Sequence, residues 1–343
     1  MEKAEQPKMK GFRRKAVDLS QVSLVKSRTM GEGETLPLVI EPATDNVDLA
    51  DWARHNGELI DQSLGKHGAI LFRGFGLATV DDFERVATSI CPELFGEYGD
   101  LPREGVSAKV YGSTPYPADQ PILFHNESSH LPRWPMKQFF FSMIAAQKGG
   151  ETPLLDCREI YRALDPTIRA AFEDKGLMYV RNFNGFDVPW HEFFRTNDKA
   201  EVERACHASG MECEWTSDDT LRIRQRSRAV ARHPKTGEMV FFNQVQLHHA
   251  SCIEAKTRAS LRTLFKEEEM PRNVYYGDGS PIEDSVMSAI AELYWKKAKM
   301  FPWLPGDVVM LDNMLVAHAR MPFEGPRKIV VAMGEMMSAK DLD

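Results

Sequence analysis

Residues Ile122–Ala146 read ILFHNESSHLPRWPMKQFFFSMIAA, and the fold turns on how this stretch is built. Its second half, Gln138–Ala146, is the most apolar internal run of the chain. The run is far shorter than the ~20 residues that a membrane helix needs, so it reads as a buried strand. The first half, ILFHNE, is a shorter run of the same β-like kind. Downstream come TPLLD (152–156), LMYVRNF (177–183), LRIRQRSRAVAR (221–232), EMVFFNQ (238–244), DVVMLDN (307–313) and RKIVVAMGE (327–335). Short strands divided by Gly and Pro turns, with helices mainly at the ends and in inserts, predict a mainly β fold with flanking helices. The expected core is a double-stranded β-helix, the jelly-roll or cupin-like arrangement.

On the N-terminal side, Asp48–Lys66 carries Leu49, Trp52, Ala53, Leu59, Ile60 and Leu64 at helical spacing, and Gly65–Gly68 stop the pattern. A strand is expected over Ala69–Arg73 and an amphipathic helix over Val80–Ile90. Helical inserts are expected at Glu159–Lys175, Thr257–Glu268 and Ile282–Lys299. No internal repeat or low-complexity linker divides the chain. Residues 36–343 are therefore expected to form one domain behind an N-terminal tail of residues 1–35.

A chain of 343 residues that is 43% hydrophobic can bury a core without disulfides or a structural metal. Its 43 Lys and Arg against 50 Asp and Glu leave a net charge of −7, so a general attraction to nucleic acid is missing. Cys91, Cys157, Cys206, Cys213 and Cys252 are scattered and form no C-x-x-C pair. They fit a reducing cytoplasm. The basic cluster Lys8, Lys10, Arg13, Arg14 and Lys15 precedes no apolar stretch of signal-peptide length and reads as a solvated tail. Neither a membrane nor nucleic acid is an expected partner.

The chemistry-bearing residues begin with His125 and Glu127, two positions apart at what reads as a strand end, which puts both side chains on one face. Two histidines and a carboxylate on one face of a metal leave three positions open, as an iron(II) oxygenase requires. His318 has the best context for the third ligand, in a short loop after the apolar strand of LPGDVVMLDNMLVAHARMPF (304–323). A zinc hydrolase can use the same donor types, although no H-E-x-x-H helix is present. A noncatalytic jelly-roll binding protein is the other alternative. His248 and His249 are adjacent and would point to opposite faces of a regular strand, so they read as pocket or packing residues. Asp312 and Asn313 read as turn residues that bond the local backbone.

In order along the chain, His125-Asn126-Glu127, Gly149-Gly150-Glu151-Thr152 and Gly306–Arg320 resemble the taurine dioxygenase (TauD/TfdA) family, over roughly Gly68–Glu335. The resemblance implies iron(II) held by His125, Glu127 and His318, with 2-oxoglutarate and O2 as co-substrates. It implies that Arg327 and Thr152 receive the distal carboxylate of 2-oxoglutarate, for which the planar fork of Arg is suited. FHNESSH and DNMLVAHARMPFEGPRKIVVAM look closest to members associated with nonribosomal peptide assembly, such as the syringomycin aspartyl hydroxylase. That implies hydroxylation of an amino acid, free or tethered to an aminoacyl carrier protein, in specialised metabolite biosynthesis. Glu127 argues against a halogenase, since the related halogenases carry a small residue there. Several family members place an Arg for a free anionic substrate where this chain has Val331. Possible substrate or supporting residues are Arg320, Ser113 and Asn243, together with Tyr111, Thr114, Ser128-Ser129-His130, Phe242 and Gln244. The aromatic segment RNFNGFDVPWHEFF (181–194) reads as a lid or as packing.

Overall fold

The structure is a computed structural model, and it describes residues 23–95, 107, 109–112, 116–217 and 219–342. Of the residues singled out above, Lys8, Lys10, Arg13, Arg14, Lys15, Ser113 and Thr114 lie outside the described residues.

Seven strands form the large sheet in the spatial order Val25–Arg28, Leu38–Pro42, Ala69–Phe72, Val308–Asp312, Arg133–Ile144, Lys328–Ser338 and Tyr111–Gly112. Only the second and third of these pair in parallel. A three-stranded sheet runs Ile122–His125, Val316–Arg320, Leu154–Asp156, and a four-stranded one runs Glu212–Trp215, Leu221–Ser227, Leu177–Phe183, Arg272–Tyr276.

The central strands of the large sheet, Ala69–Phe72, Val308–Asp312 and most of Arg133–Ile144 and Lys328–Ser338, are buried on both faces, and their alternation separates two cores. Val309, Leu311, Phe140, Val331 and Met333 pack with Leu154, Ala317, Leu177 and Val274 of the smaller sheets. Val308, Met310, Phe139, Phe141, Val330 and Ala332 pack on the other side, against Leu49, Trp52, Ile60, Leu64 and Phe83 of the N-terminal helices. Sheet against sheet with helices outside is the expected jelly roll. Each fully buried Phe of the Phe139-Phe140-Phe141 run contributes about 1.5–3 kcal/mol of apolar burial.

The helices start where capping chemistry allows. Thr79 and Asp82 form a reciprocal capping box at Val80–Ile90, and the Asp165 carboxylate accepts from Thr167 and Ile168 at the head of Pro166–Lys175. Three expectations need correction. The helix expected over Asp48–Lys66 is two, Leu49–His55 and Gly57–His67, because Asn56 turns back to donate its side-chain amide to Trp52 O at 2.7 Å. The Glu159–Lys175 insert likewise divides, into Cys157–Ala163 and Pro166–Lys175. Most consequentially, Val25–Arg28 is not tail. It pairs antiparallel with Leu38–Pro42, and Arg28 bridges to Glu41 across that ladder at 3.0 Å. Its face is mostly exposed, so no apolar periodicity announced it.

Candidate active site

The centre is built on one strand pair. Ile122–His125 runs antiparallel to Val316–Arg320 with His125 directly opposite His318. Direct partners share a face, and the imidazole centroids lie 4.3 Å apart. His318 thus sits in a strand, where the sequence suggested a loop. Its ring packs edge-on against Phe140 at 5.0 Å. The His125 Nδ1 lies 2.8 Å from Leu123 O, so Nδ1–H donates there and leaves Nε2 with its lone pair.

Glu127 lies beyond the strand end, and buried amides fix it. The Glu127 N–H donates to Asn313 Oδ1 at 2.7 Å, while Asn313 Nδ2 donates to Glu127 O at 2.8 Å and Pro135 O at 2.9 Å. Asn126 Nδ2 in turn donates to Asn313 O at 2.7 Å. Asn313 therefore clamps segments far apart in sequence, contrary to the local role expected of it, because full burial obliges its amide to find partners wherever backbone groups lack them. Asp312 behaves as expected: its Oδ1 accepts from Met314 and Leu315. Its Oδ2 also meets His233 Nε2 at 3.0 Å.

The ligand atoms of His125, Glu127 and His318 all lie within 4.8 Å of one another, the one such group found among the described residues. Burial pushes the Glu127 carboxyl up to about 7, against the pull of a hydrogen bond from Gln138. A carboxylate this deep is costly to ionise unless a cation joins it. Two neutral imidazoles and such a carboxylate suit a divalent transition metal.

Five further residues line the same narrow cavity in ways that bear on chemistry: Thr152, Arg327, Arg320, Phe140 and Val331. Thr152 is buried, and Trp303 Nε1 donates to its Oγ1 at 3.1 Å, which leaves the hydroxyl hydrogen for a ligand. Sequence reasoning missed Trp303, which lies far from Thr152 in the chain and belongs to no motif. Arg327 donates through Nε to Gly150 O at 3.0 Å. Burial, with Arg320 nearby, pulls its pKa down to about 10. Gly149 has φ 69°, and a Cβ there would lie 2.2 Å from Pro322 O, so the turn before Thr152 requires glycine.

The possible substrate residues separate. Arg320 donates to the carbonyls of Tyr116, Pro117 and Gln120 at 3.1, 2.6 and 2.6 Å, so its terminal nitrogens hold the segment leading into the His125 strand. Asn243 does not line the cavity. Its N–H donates to Asn126 Oδ1, its Nδ2 donates to Ala229 O, and its Oδ1 accepts from Val245, so it props Asn126 from behind. His248 and His249 end a helical turn, Val245–His248, and the strand-based argument about them fails. His249 Nε2 reaches Ile282 O, whereas His248 lines a second cavity.

That second cavity holds about 430 Å³ and is bounded by Ser128, His130 and Tyr179 among others. Along the inner face of Lys328–Ser338, Ile329 and Val331 line the narrow cavity and Met333 lines the larger one. The two spaces thus follow one strand on either side of the Glu127–Ser128 turn. Phe193 and Phe194 of the aromatic segment also line the larger cavity.

Residues 32–333 match the family described as taurine catabolism dioxygenase TauD, TfdA family. The chain is 37% identical over 297 residues to the dapdiamide synthesis protein DdaC of Enterobacter agglomerans, covering 86% of this chain and 90% of the relative. It is 27% identical to a clavaminate synthase-like protein of Arabidopsis thaliana, covering 88% and 94%. A taurine dioxygenase structure from Burkholderia xenovorans aligns over 93% of each chain with a TM-score of 0.55 at 14% identity, a likeness of fold. No helix among the described residues is long and apolar enough to cross a membrane. The chain belongs to the TauD/TfdA family and is an iron(II)- and 2-oxoglutarate-dependent dioxygenase.

Proposed function

We propose that His125, Glu127 and His318 bind the iron, that Arg327 and Thr152 bind the distal carboxylate of 2-oxoglutarate, and that the enzyme hydroxylates an aliphatic C–H of an amino acid, delivered as a carrier-tethered aminoacyl group, in specialised metabolite biosynthesis. The observation that carries the substrate half is Val331. It lines the metal cavity at 2% exposure, where recognition of a free small anion beside the metal would call for a cation. The similarity to a protein named for dapdiamide synthesis supports the metabolic setting. The five cysteines, all free, are consistent with a reducing cytoplasm.

Iron(II) and 2-oxoglutarate supply the oxidising power, with succinate and CO2 as the co-product pair. The chain supplies placement. The Leu123 carbonyl sets the His125 tautomer, and the Asn313 amide fixes the backbone of Glu127. Trp303 orients the Thr152 hydroxyl, and Gly150 O orients Arg327, leaving the guanidinium fork for the carboxylate. Phe140, Ile329 and Val331 keep the cavity dry, so the reactive group meets the substrate and not solvent.

The test compares free amino acids with the same amino acids loaded on a cognate carrier, reading substrate-dependent succinate and product mass. Loaded substrates should be preferred; efficient hydroxylation of a free acid with no gain on loading rejects tethering. His125→Ala, Glu127→Ala and His318→Ala should each abolish turnover in a folded protein, and wild-type iron occupancy in any of them removes that residue as a ligand.

A further inference from the structure

The space beside the metal-binding candidates is about 60 Å³, and the neighbouring cavity is about 430 Å³. The second value falls within the roughly 300–1,000 Å³ of small-molecule pockets. The two spaces border each other at the metal-bearing turn, where Glu127 lines the first and Ser128 the second. They border again along Lys328–Ser338, where Val331 and Met333 stand two residues apart on one face. A substrate with one carbon at the metal therefore has room to extend into the larger cavity.

The walls of that cavity are mainly apolar. Val180, Phe193, Phe194, Met211, Ile223 and Met333 all line it. Near the metal-bearing turn the rings of His130, Tyr179 and His248 pack on one another, with centroids 5.1–5.4 Å apart. The polar ends of the lining side chains are bound to other parts of the protein. Arg181 and Arg272 both reach Asp187 Oδ2, at 3.1 and 2.6 Å, and Arg181 lies over the rings of Phe183 and Phe193 at 4.7 and 4.5 Å. His248 Nε2 meets Gln244 Oε1 at 3.0 Å, and Tyr179 OH accepts from Gln244 N at 2.9 Å. Arg133 is exposed at the start of its strand. Ring faces and aliphatic stems are thus what these residues turn toward the cavity.

We propose that this cavity takes the side chain of the substrate and selects a large apolar one, of leucyl or phenylalanyl size, over a small or a charged one. The proposal names the substrate class of the oxygenase reading given above and rests on it. An apolar side chain gains by leaving water for such walls. A carboxylate would be desolvated there beside guanidiniums already committed to Asp187, at a cost with no matching gain. The helix Lys199–Ala208 borders the cavity through Ala205, an exposed position where added bulk takes space from the cavity without disturbing the core.

The test is equilibrium binding by calorimetry, with Mn(II) and N-oxalylglycine filling the metal and co-substrate sites. The probes are pantetheine and its L-alanyl, L-aspartyl, L-leucyl and L-phenylalanyl thioesters, with the same amino acids as free acids so that the outcome does not depend on tethering. The leucyl or phenylalanyl form should bind roughly ten- to a hundredfold more tightly than the alanyl form, because the additional side-chain carbons leave water. The aspartyl form should gain nothing over the alanyl form. Ala205→Trp should weaken the preferred probe by about tenfold and leave the alanyl form and the KM for 2-oxoglutarate unchanged. Ala208→Trp, on the same helix but not lining the cavity, should change none of these. Binding that ignores the side chain, tighter binding of the aspartyl form, or a loss in Ala205→Trp shared equally by all probes overturns the pocket. Pantetheine binding as tightly as its leucyl thioester overturns it as well and gives the cavity to the arm. Succinate release, read in parallel on the iron enzyme, separates the two readings. Release with the alanyl form as readily as with the leucyl form leaves the oxygenase reading standing while the pocket falls; selective binding of the leucyl form without release sinks hydroxylation and keeps the pocket.

Discussion

Replacing Arg327 by Lys tests the co-substrate half of the site most directly. The guanidinium donates through Nε to Gly150 O at 3.0 Å and lies 5.4 Å from the Phe323 ring centroid, so backbone and aromatic face both set its plane. The substitution keeps a positive charge but replaces a planar fork by a point charge that cannot hold Gly150 O and both carboxylate oxygens in the same geometry. At least one charge-assisted hydrogen bond to the carboxylate is lost, about 1.5–3 kcal/mol, which corresponds to roughly a ten- to hundredfold rise in the KM for 2-oxoglutarate. The kcat at saturating co-substrate should change much less, since the ketoacid end is bound elsewhere. Initial rates of succinate formation against 2-oxoglutarate concentration give both constants. A KM that stays within roughly twofold of wild type, far short of that loss, would show that the carboxylate is held by other residues.

Trp303→Phe keeps the packing but removes the indole donor to Thr152; a neutral hydrogen bond of about 0.5–1.5 kcal/mol predicts a rise of roughly two- to twelvefold in the same KM, again by succinate kinetics. Arg158 is buried, pairs with Asp156 at 2.8 Å and Glu238 at 3.0 Å, and donates to the carbonyls of Gly65 and Lys66. Arg158→Met should lower stability by about 3–5 kcal/mol, seen as a lower urea midpoint with iron affinity unchanged in the folded fraction. Gly149→Ala combines a positive φ with a backbone clash, so it should exceed the ~1–3 kcal/mol of ordinary strain. It should lower Tm and, by displacing Gly150 O, weaken 2-oxoglutarate binding together with stability.

The strands that bury both faces were legible because an apolar run such as Phe139-Phe140-Phe141 has few other places to go. Val25–Arg28 and Glu212–Trp215 escaped reading because they have exposed faces and charged composition, and pairing with a neighbour rather than burial makes the strand; Leu38–Pro42 and Arg272–Tyr276 escaped although largely buried, because their apolar runs are too short to stand out. Within the site, His125, Glu127, Thr152 and His318 were found by spacing and resemblance, and they come together on one cavity. Trp303, Asn126 and Asn313 act through long-range hydrogen bonds, which leave no periodic mark in a sequence. Arg320 was read as a substrate or a supporting residue, and its bonds to the carbonyls of Tyr116, Pro117 and Gln120 are of the supporting kind; a strand position shows which face an arginine takes but not which carbonyls it will meet.

The pairing of His125 opposite His318 divides the three metal-binding candidates into two kinds of component. The distance between the imidazoles is a property of strand register, and a slip by one residue would turn one of them out of the cavity and displace Val316, Ala317 and Ala319 from the core with it. Glu127 stands outside the ladder, on a turn held by the side-chain amides of Asn313 and Asn126. The spacing of the two histidines is thus inherited from strand register, while the position of the carboxylate is set by a turn. Changes in that turn can move the carboxylate in this scaffold without altering the ladder that spaces the histidines.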